Sequence, residues 1–408
     1  MKKYNFDEII ERRNTNALNT DGFREYIFHA GLEKVFPFED EEFIRMWVAD
    51  MEFATPLEIC EAIRERVDRR IFGYSMITDP GYYKALMNWC TKRYDWSFKK
   101  EELVFSPGVI PALYQLLEDL VEKDEKVLTM TPAYGYFGHA AEYNHAALVC
   151  TELKNNHGYF TIDFDDFERK AADSKVKVLI FCNPHNPTGR IWTKEELKRV
   201  AEIVKKYKLW IISDEIHCDL VRQGLQYTPM GKIMPRYQKL VICISASKTF
   251  NMAGLMLSNI LIRDRKEREK FVSRDKIARF LNPLSIAAHK AAYEECNEWL
   301  EQLKTYMDAN FRYVKEYLDK FLPEAVFSIP QATYLAWIDM SRCLPEVRDF
   351  PSFFAYNAGV LLEGGNSLFV GNAEGYIRLN LAMPRSVIKT GLERMYHAIQ
   401  NYNRSNEK

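Results

Sequence analysis

From about residue 100 to 265, short apolar runs alternate with amphipathic stretches. KVLTMT (126–131), AALVC (146–150), VKVLIFC (176–182), LWIIS (209–213), LVICIS (240–245) and SNILI (258–262) predict strands. In TKEELKRVAEIVKKY (193–207), Leu197, Val200, Ala201 and Val204 recur at helical spacing, and Thr193 with Glu196 forms a capping box. Strands apolar on both faces, alternating with helices, imply an α/β fold whose mostly parallel central sheet is covered on both sides. Ligands of such sheets bind beyond the C-terminal ends of the strands. After about residue 285 the pattern changes. A long helical stretch (286–322) leads to shorter strands in ATYLAWIDM and GYIRLNLA, and an amphipathic helix from 386 closes the chain. This divides the protein into a large domain over 46–285 and a smaller α+β domain over 286–408. An N-terminal segment, 1–45, joins the smaller domain, and a cleft between the two bodies is the expected site.

Composition narrows the partners. The 408 residues are 47% hydrophobic, enough for a substantial core, and the formal net charge is -1. A near-neutral chain has no bulk attraction for nucleic acid or an anionic membrane. MKKYNFDEIIERRNT lacks an apolar run of signal-peptide length, and no segment is long enough to span a bilayer. The eight cysteines form no C-x-x-C pair and the eight histidines show no ligand spacing. The expectation is a cytoplasmic protein with reduced thiols, no metal and a small-molecule ligand.

Four strand ends carry unusual residues. VFSPGVIPALYQLLEDL (104–120) places Ser-Pro-Gly before a helix whose first amides, near Gly108, Val109 and Ile110, are free to bind an anion, although the same pattern serves as a simple turn. LIFCNPHNPTGRIW (179–192) ends in two Asn-Pro dipeptides, a rigid loop that presents Asn183 and Asn186. In LWIISDEIHCDL (209–220) a buried carboxylate, Asp214, calls for a cation, either a structural partner or a ligand. SASKTFNMAG (245–254) puts Lys248 after an apolar strand. There it either pairs with an aspartate or loses its proton and becomes a nucleophile towards carbonyls. One ligand uses all four features: pyridoxal 5′-phosphate (PLP), with its phosphate, aldehyde, pyridine nitrogen and phenolic oxygen.

At these residues the sequence resembles the fold-type-I PLP enzymes of the class I/II aminotransferase superfamily, in NPTG (Asn186), SDEIH (Asp214), SASK (Lys248) and YIRLNLAMPR (Arg378). MWVADMEFATP (46–56), FGYS (72–75), SPGVIPAL (106–113), TPAYGYF (131–137), DEIHCDL (214–220) and SKTFNMAGL (247–255) look like the cystathionine β-lyase, or MalY/PatB-like C–S lyase, branch. The resemblance implies that Lys248 is the catalytic Schiff-base lysine and that Asp214 holds the pyridine nitrogen protonated. It implies Asn186 on the ring oxygen, Tyr134 on the ring face, and the phosphate on the backbone of Val109 and Ile110 with Ser245 and Ser247. His217 belongs to the same cofactor shell. Arg378 would clamp the substrate carboxylate, helped by backbone near Ala49. Tyr74 would reach the phosphate from a neighbouring subunit, so the resemblance implies a homodimer with shared active sites.

The implied reaction is β-elimination from cystathionine, cysteine or related L-cysteine S-conjugates, giving thiol, pyruvate and ammonia. Transamination by the same residues is the alternative, and a regulatory PLP-fold protein is a third reading. Three departures stand out. Met256 occupies a position where many superfamily members carry a phosphate-binding arginine, and His217 stands where aminotransferases commonly have tyrosine. RRNTNALNTDG (12–22) differs from the R-x-x-T-x-S-x-K-W-D usual in the lyase branch, which bears on the entrance to the substrate pocket.

Overall fold

The computed structural model describes residues 2–31, 33–274 and 280–406. Its centre is a seven-stranded sheet of β1 (Leu103–Ser106), β2 (Lys126–Thr131), β3 (Ala147–Glu152), β4 (Val176–Cys182), β5 (Trp210–Asp214), β6 (Leu240–Ile244) and β7 (Ser258–Ile262). The strands lie in the order β1-β7-β6-β5-β4-β2-β3. Pairing is parallel from β6 through β5, β4 and β2 to β3, while β7 runs antiparallel to both β6 and β1. Two reversals restore direction, so β1 points the same way as β6.

Period-2 alternation sends neighbouring residues of one strand into different cores. Val178 and Ile180 of β4, with Val241 and Cys243 of β6, join the core beneath the helix Val109–Leu120. Leu179, Phe181, Leu240 and Ile242 join the opposite core, which includes Leu197, Val200 and Val204 of the helix Lys194–Lys206. Thr193 caps that helix, accepting from the Glu196 amide at 3.1 Å, and the Glu196 carboxylate accepts from the Thr193 amide at 2.7 Å. The expected mostly parallel, doubly covered sheet is therefore present.

The long helical stretch after 285 is two helices rather than one, Pro283–Glu295 and Asn297–Phe321. Cys296, at φ −96° and ψ 15°, closes the first and opens the second. The break follows from packing. The first helix lies on Leu57–Asp68 and Pro80–Tyr94, while the second packs on the final helix, Arg385–Asn406. Asn310 of the second helix donates to the carbonyls of Leu381 and Met383 at 3.1 and 3.0 Å. One straight rod cannot satisfy both surfaces.

A second sheet places Tyr376–Asn380 between Leu335–Asp339 and Glu363–Gly364, all antiparallel. The N-terminal segment reaches this part of the molecule: Ile44–Arg45 pairs in parallel with Val360–Leu361, and Phe23, Phe36, Phe43 and Trp47 pack with Ala355 and Leu361. A two-residue ladder, Ala133–Tyr134 against Phe369–Val370, ties the central region to the same C-terminal elements.

Candidate functional site

β1, β2, β4, β5 and β6 point the same way, so the residues that follow them emerge along one edge. Gly108 precedes the helix Val109–Leu120 in extended conformation, with no side chain capping its first amides. The amides of Val109 and Ile110 thus lack helical acceptors. At the end of β6 the Ser245 hydroxyl donates to the Leu257 carbonyl at 2.7 Å and accepts from the Ser247 amide at 3.1 Å. These bonds tighten the turn that carries Lys248. Ser245 and Ser247 are both buried.

The two loop asparagines differ. Asn183 is fully buried; its Nδ2 donates to the Thr228 carbonyl at 3.0 Å and its amide to the Asp214 carbonyl at 2.9 Å. Its Nδ2 is committed inside the fold, contrary to the sequence reading, while its Oδ1 has no hydrogen-bond partner. Asn186 is also buried, and its Oδ1 likewise meets no hydrogen-bond partner.

Asp214 terminates β5 at 6% exposure, and its Oδ1 accepts from the Ile216 amide at 3.2 Å. Among the described residues no cationic side chain lies within ion-pairing distance of it. Burial pushes its carboxyl up to about 6, against the pull of that amide and of Lys248. The structural Lys–Asp pair left open by the sequence is not formed. Instead Lys248 Nζ donates to the Ala49 carbonyl at 2.7 Å. Burial also lowers the Lys248 ammonium from its usual range; Asp50 opposes this, and Arg378 adds to it.

Arg378 sits on the central strand of the second sheet at 2% exposure. Its Nη2 donates to the Trp47 carbonyl at 3.3 Å, and its Nε has no partner. No carboxylate among the described residues pairs with it. A buried guanidinium left in that state is a receptor for an anion. His217 is likewise buried with Nδ1 unpartnered; burial first, then Lys248 and Arg378, push its imidazole down to about 3, so it is neutral at physiological pH. Tyr134 stands at the start of the loop after β2, and burial pushes its phenol up to about 12.

Two other sequence-derived positions fall differently. The Ala49 carbonyl accepts from both Lys248 and the Tyr334 hydroxyl, the latter at 2.9 Å, so it faces the lysine; the carbonyl touching Arg378 is that of Trp47. Tyr74 is 90% exposed, with its ring 4.9 Å from that of Phe280. Sequence reasoning missed Tyr334 and Glu363. Tyr334 is a single phenol in an apolar run that reads as a strand, and Glu363 lies in a glycine-rich stretch without a motif. Glu363 is paired across the strand from Arg378.

The chain matches the family model for aminotransferase class I and II over residues 41–395. It is 34% identical to the cystathionine beta-lyase PatB of Bacillus subtilis, covering 97% of this chain and 100% of that protein. It is 28% identical to the protein MalY of Escherichia coli, over 97% and 99% of the two chains. The structure superposes on the PLP-bound C-S lyase from Staphylococcus hominis with a TM-score of 0.92, at 45% identity and with 98% of each chain covered. The parallel sheet with a lysine, an aspartate and an asparagine on one edge, facing a buried arginine, accords with these matches: the chain belongs to the class I and II aminotransferase family.

Proposed function

We propose that this protein is a PLP-dependent lyase that cleaves the C–S bond of L-cysteine S-conjugates, cystathionine among them, releasing thiol, pyruvate and ammonia. One observation carries the reading: a buried arginine without a carboxylate and a buried aspartate without a cation flank a lysine whose ammonium is destabilised. These vacancies complement an amino-acid substrate and a pyridinium cofactor. The residues fit PLP. Asp214 would offer the anion that keeps the ring nitrogen protonated, and the Asn186 side chain, whose Oδ1 has no partner, would turn its N–H donor to the ring oxygen. The amides of Val109 and Ile110, with Ser245 and Ser247, would hold the phosphate, and Tyr134 and His217 would hold the ring. When bound, PLP supplies the carbonyl carbon for the amino group and the electron sink for the Cα carbanion.

The chain's own residues then have distinct tasks. Arg378 holds the substrate carboxylate through two N–H donors and so fixes which Cα bond faces Lys248. Lys248, with its lowered proton affinity, takes the Cα proton as general base. Loss of the β-thiolate leaves aminoacrylate, which water converts to pyruvate and ammonia. Neutral His217 adds no positive charge beside Lys248 and leaves the anion to Arg378.

The active unit in this proposal is a homodimer, with Tyr74 completing the partner's phosphate site. Ile71, Phe72, Tyr74 and Met76, exposed at 72%, 57%, 90% and 50%, support it as an uncovered apolar surface. The cofactor-binding body is 46–285, and the smaller body comprises 286–408 with 1–45. Eight free cysteines, six of them buried, suit a cytoplasmic, reducing setting. Incubation with L-cystathionine and no keto acid tests the activity: pyruvate, ammonia and thiol are expected in equal amounts. Turnover only when a keto acid is added would make the protein an aminotransferase and overturn the lyase reading.

A further inference from the structure

A cavity of about 500 Å³ lies beside the strand Glu363–Gly364, and its lining carries two carboxylates and two histidines. Glu25, Tyr26, His29, Tyr136, His139 and Glu363 contribute to its wall, and the lining holds no lysine or arginine. Glu363 is 3% exposed and its Oε1 has no hydrogen-bond partner. Burial raises its carboxyl above the usual range, with only Arg378 opposing. A buried carboxylate oxygen without a donor is costly unless a ligand supplies one.

The cavity is also well placed. Glu363 is the register partner of Arg378, so their backbones are one strand spacing, about 5 Å, apart. On another wall the Tyr136 ring lies 5.1 Å from that of Tyr134. An amino acid held by its carboxylate at Arg378 and by its amino group beside Lys248 has only its side chain left to place. Through Glu363 the cavity reaches the strand paired with that of Arg378, and through Tyr136 it reaches the neighbour of the Tyr134 ring. Leu18 and Gly22 line it as well, so the N-terminal stretch that departs from the lyase pattern forms part of its wall.

Resting on the lyase reading, we propose that Glu363 recognises a cationic group on the β-substituent, an ammonium carried by the leaving thiol. The buried Glu363 carboxylate favours such a group over a neutral or anionic one, and a charge-assisted N–H···O⁻ bond satisfies the free oxygen.

Two near-isosteric substrates test it with the holoenzyme: S-(2-aminoethyl)-L-cysteine and S-propyl-L-cysteine. The wild type is expected to prefer the aminoethyl compound. Glu363→Gln is expected to lower kcat/KM for it by about tenfold or more while leaving S-propyl-L-cysteine unchanged. Equal loss on both compounds would mean that Glu363 only positions Arg378, and no loss on either would remove any role; both outcomes overturn the proposal. The sulfur-free counterparts L-lysine and L-2-aminoheptanoate supply a readout without turnover. In calorimetric titration, Glu363→Gln should weaken L-lysine alone, and unchanged L-lysine affinity would overturn the proposal. If the wild type releases no thiol from either conjugate, the lyase reading fails, and the calorimetric pair still decides the role of Glu363.

Discussion

Glu215 and Asp219 occupy a region where buried carboxylates are well supplied with donors, whereas Asp214, adjacent to Glu215 in the chain, faces one where they are not. Glu215 accepts from Ser213 Oγ at 2.7 Å, from the Met230 amide at 2.9 Å and from the Tyr227 hydroxyl. Asp219 accepts from Trp89 Nε1 at 3.0 Å, Thr249 Oγ1 at 2.8 Å and the Tyr94 hydroxyl. Arg222 lies 3.1 Å from Asp308 as an ion pair and its Nη2 donates to the Thr333 carbonyl, although its Nε has no acceptor. On the cleft side Asp214 has one backbone amide, and Asn186 Oδ1, His217 Nδ1 and Arg378 Nε have no partner. Each such vacancy costs roughly 1–3 kcal/mol. Glu215 and Asp219 are saturated with donors inside the fold, whereas Asp214 is left with a single backbone donor, a place where a ligand cation fits.

The sharpest way to separate the two regions is Lys248→Ala. It should lower turnover by about 10³-fold or more, the scale of a lost general base combined with a lost attachment point. Loss of the near-visible absorbance of the bound cofactor should accompany it, while the denaturant midpoint changes little. Retained absorbance would show that the cofactor is attached elsewhere.

The next contrast is between the two buried arginines. Arg222→Ala strands Asp308 and is expected to destabilise the protein by about 3–5 kcal/mol in urea unfolding. Arg378→Ala removes a charge that has no carboxylate partner. It should cost far less stability and act instead on KM. Equal destabilisation by the two substitutions would erase the distinction drawn between the regions.

pH sharpens the comparison further. Burial lifts the Glu215 carboxyl from the usual 4.5 to about 7. Because its folded value lies above the unfolded one, its contribution is fully present below pH 4.5 and is lost as pH rises through 7. Glu215→Gln should therefore lose most stability relative to wild type at low pH, with the gap narrowing by on the order of 3 kcal/mol towards pH 8. Asp214, lifted from 3.8 to about 6, has the same sign and loses its contribution as pH rises through 6. Its part of the dependence should vanish when cofactor is loaded, because a pyridinium favours the charged form. The Glu215 part should persist with and without cofactor in the same unfolding series.

Local signals in this sequence were reliable where one segment contains its own reason. β2, β4 and β7 span 126–131, 176–182 and 258–262 as the alternation predicts, and Thr193 with Glu196 marks its helix start. Lys248, Asp214, Asn186 and the Gly108 turn could be singled out as candidates because each stands just beyond the end of an apolar run. The break at Cys296 was not legible, because the helical periodicity continues through it and only the two packing surfaces require it. Nor was the hairpin of Lys154–Asn156 and Tyr159–Thr161, whose polar first strand carries no alternation.

The sequence by itself determined the alternation of strands and helices, and with it the edge where the chemistry collects. Period-2 and period-3.6 patterns are properties of contiguous residues. Tertiary structure alone decided which polar groups end without partners. Asn183 and Asn186 are alike in sequence and both Oδ1 atoms lack partners, but only the Asn183 Nδ2 is committed inside the fold, to the Thr228 carbonyl. Tyr334, Ala49 and Lys248 meet from three distant segments, as do Trp47, Glu363 and Arg378. A vacancy is a relation among residues far apart in the chain, and only the closed fold brings them near enough to leave one.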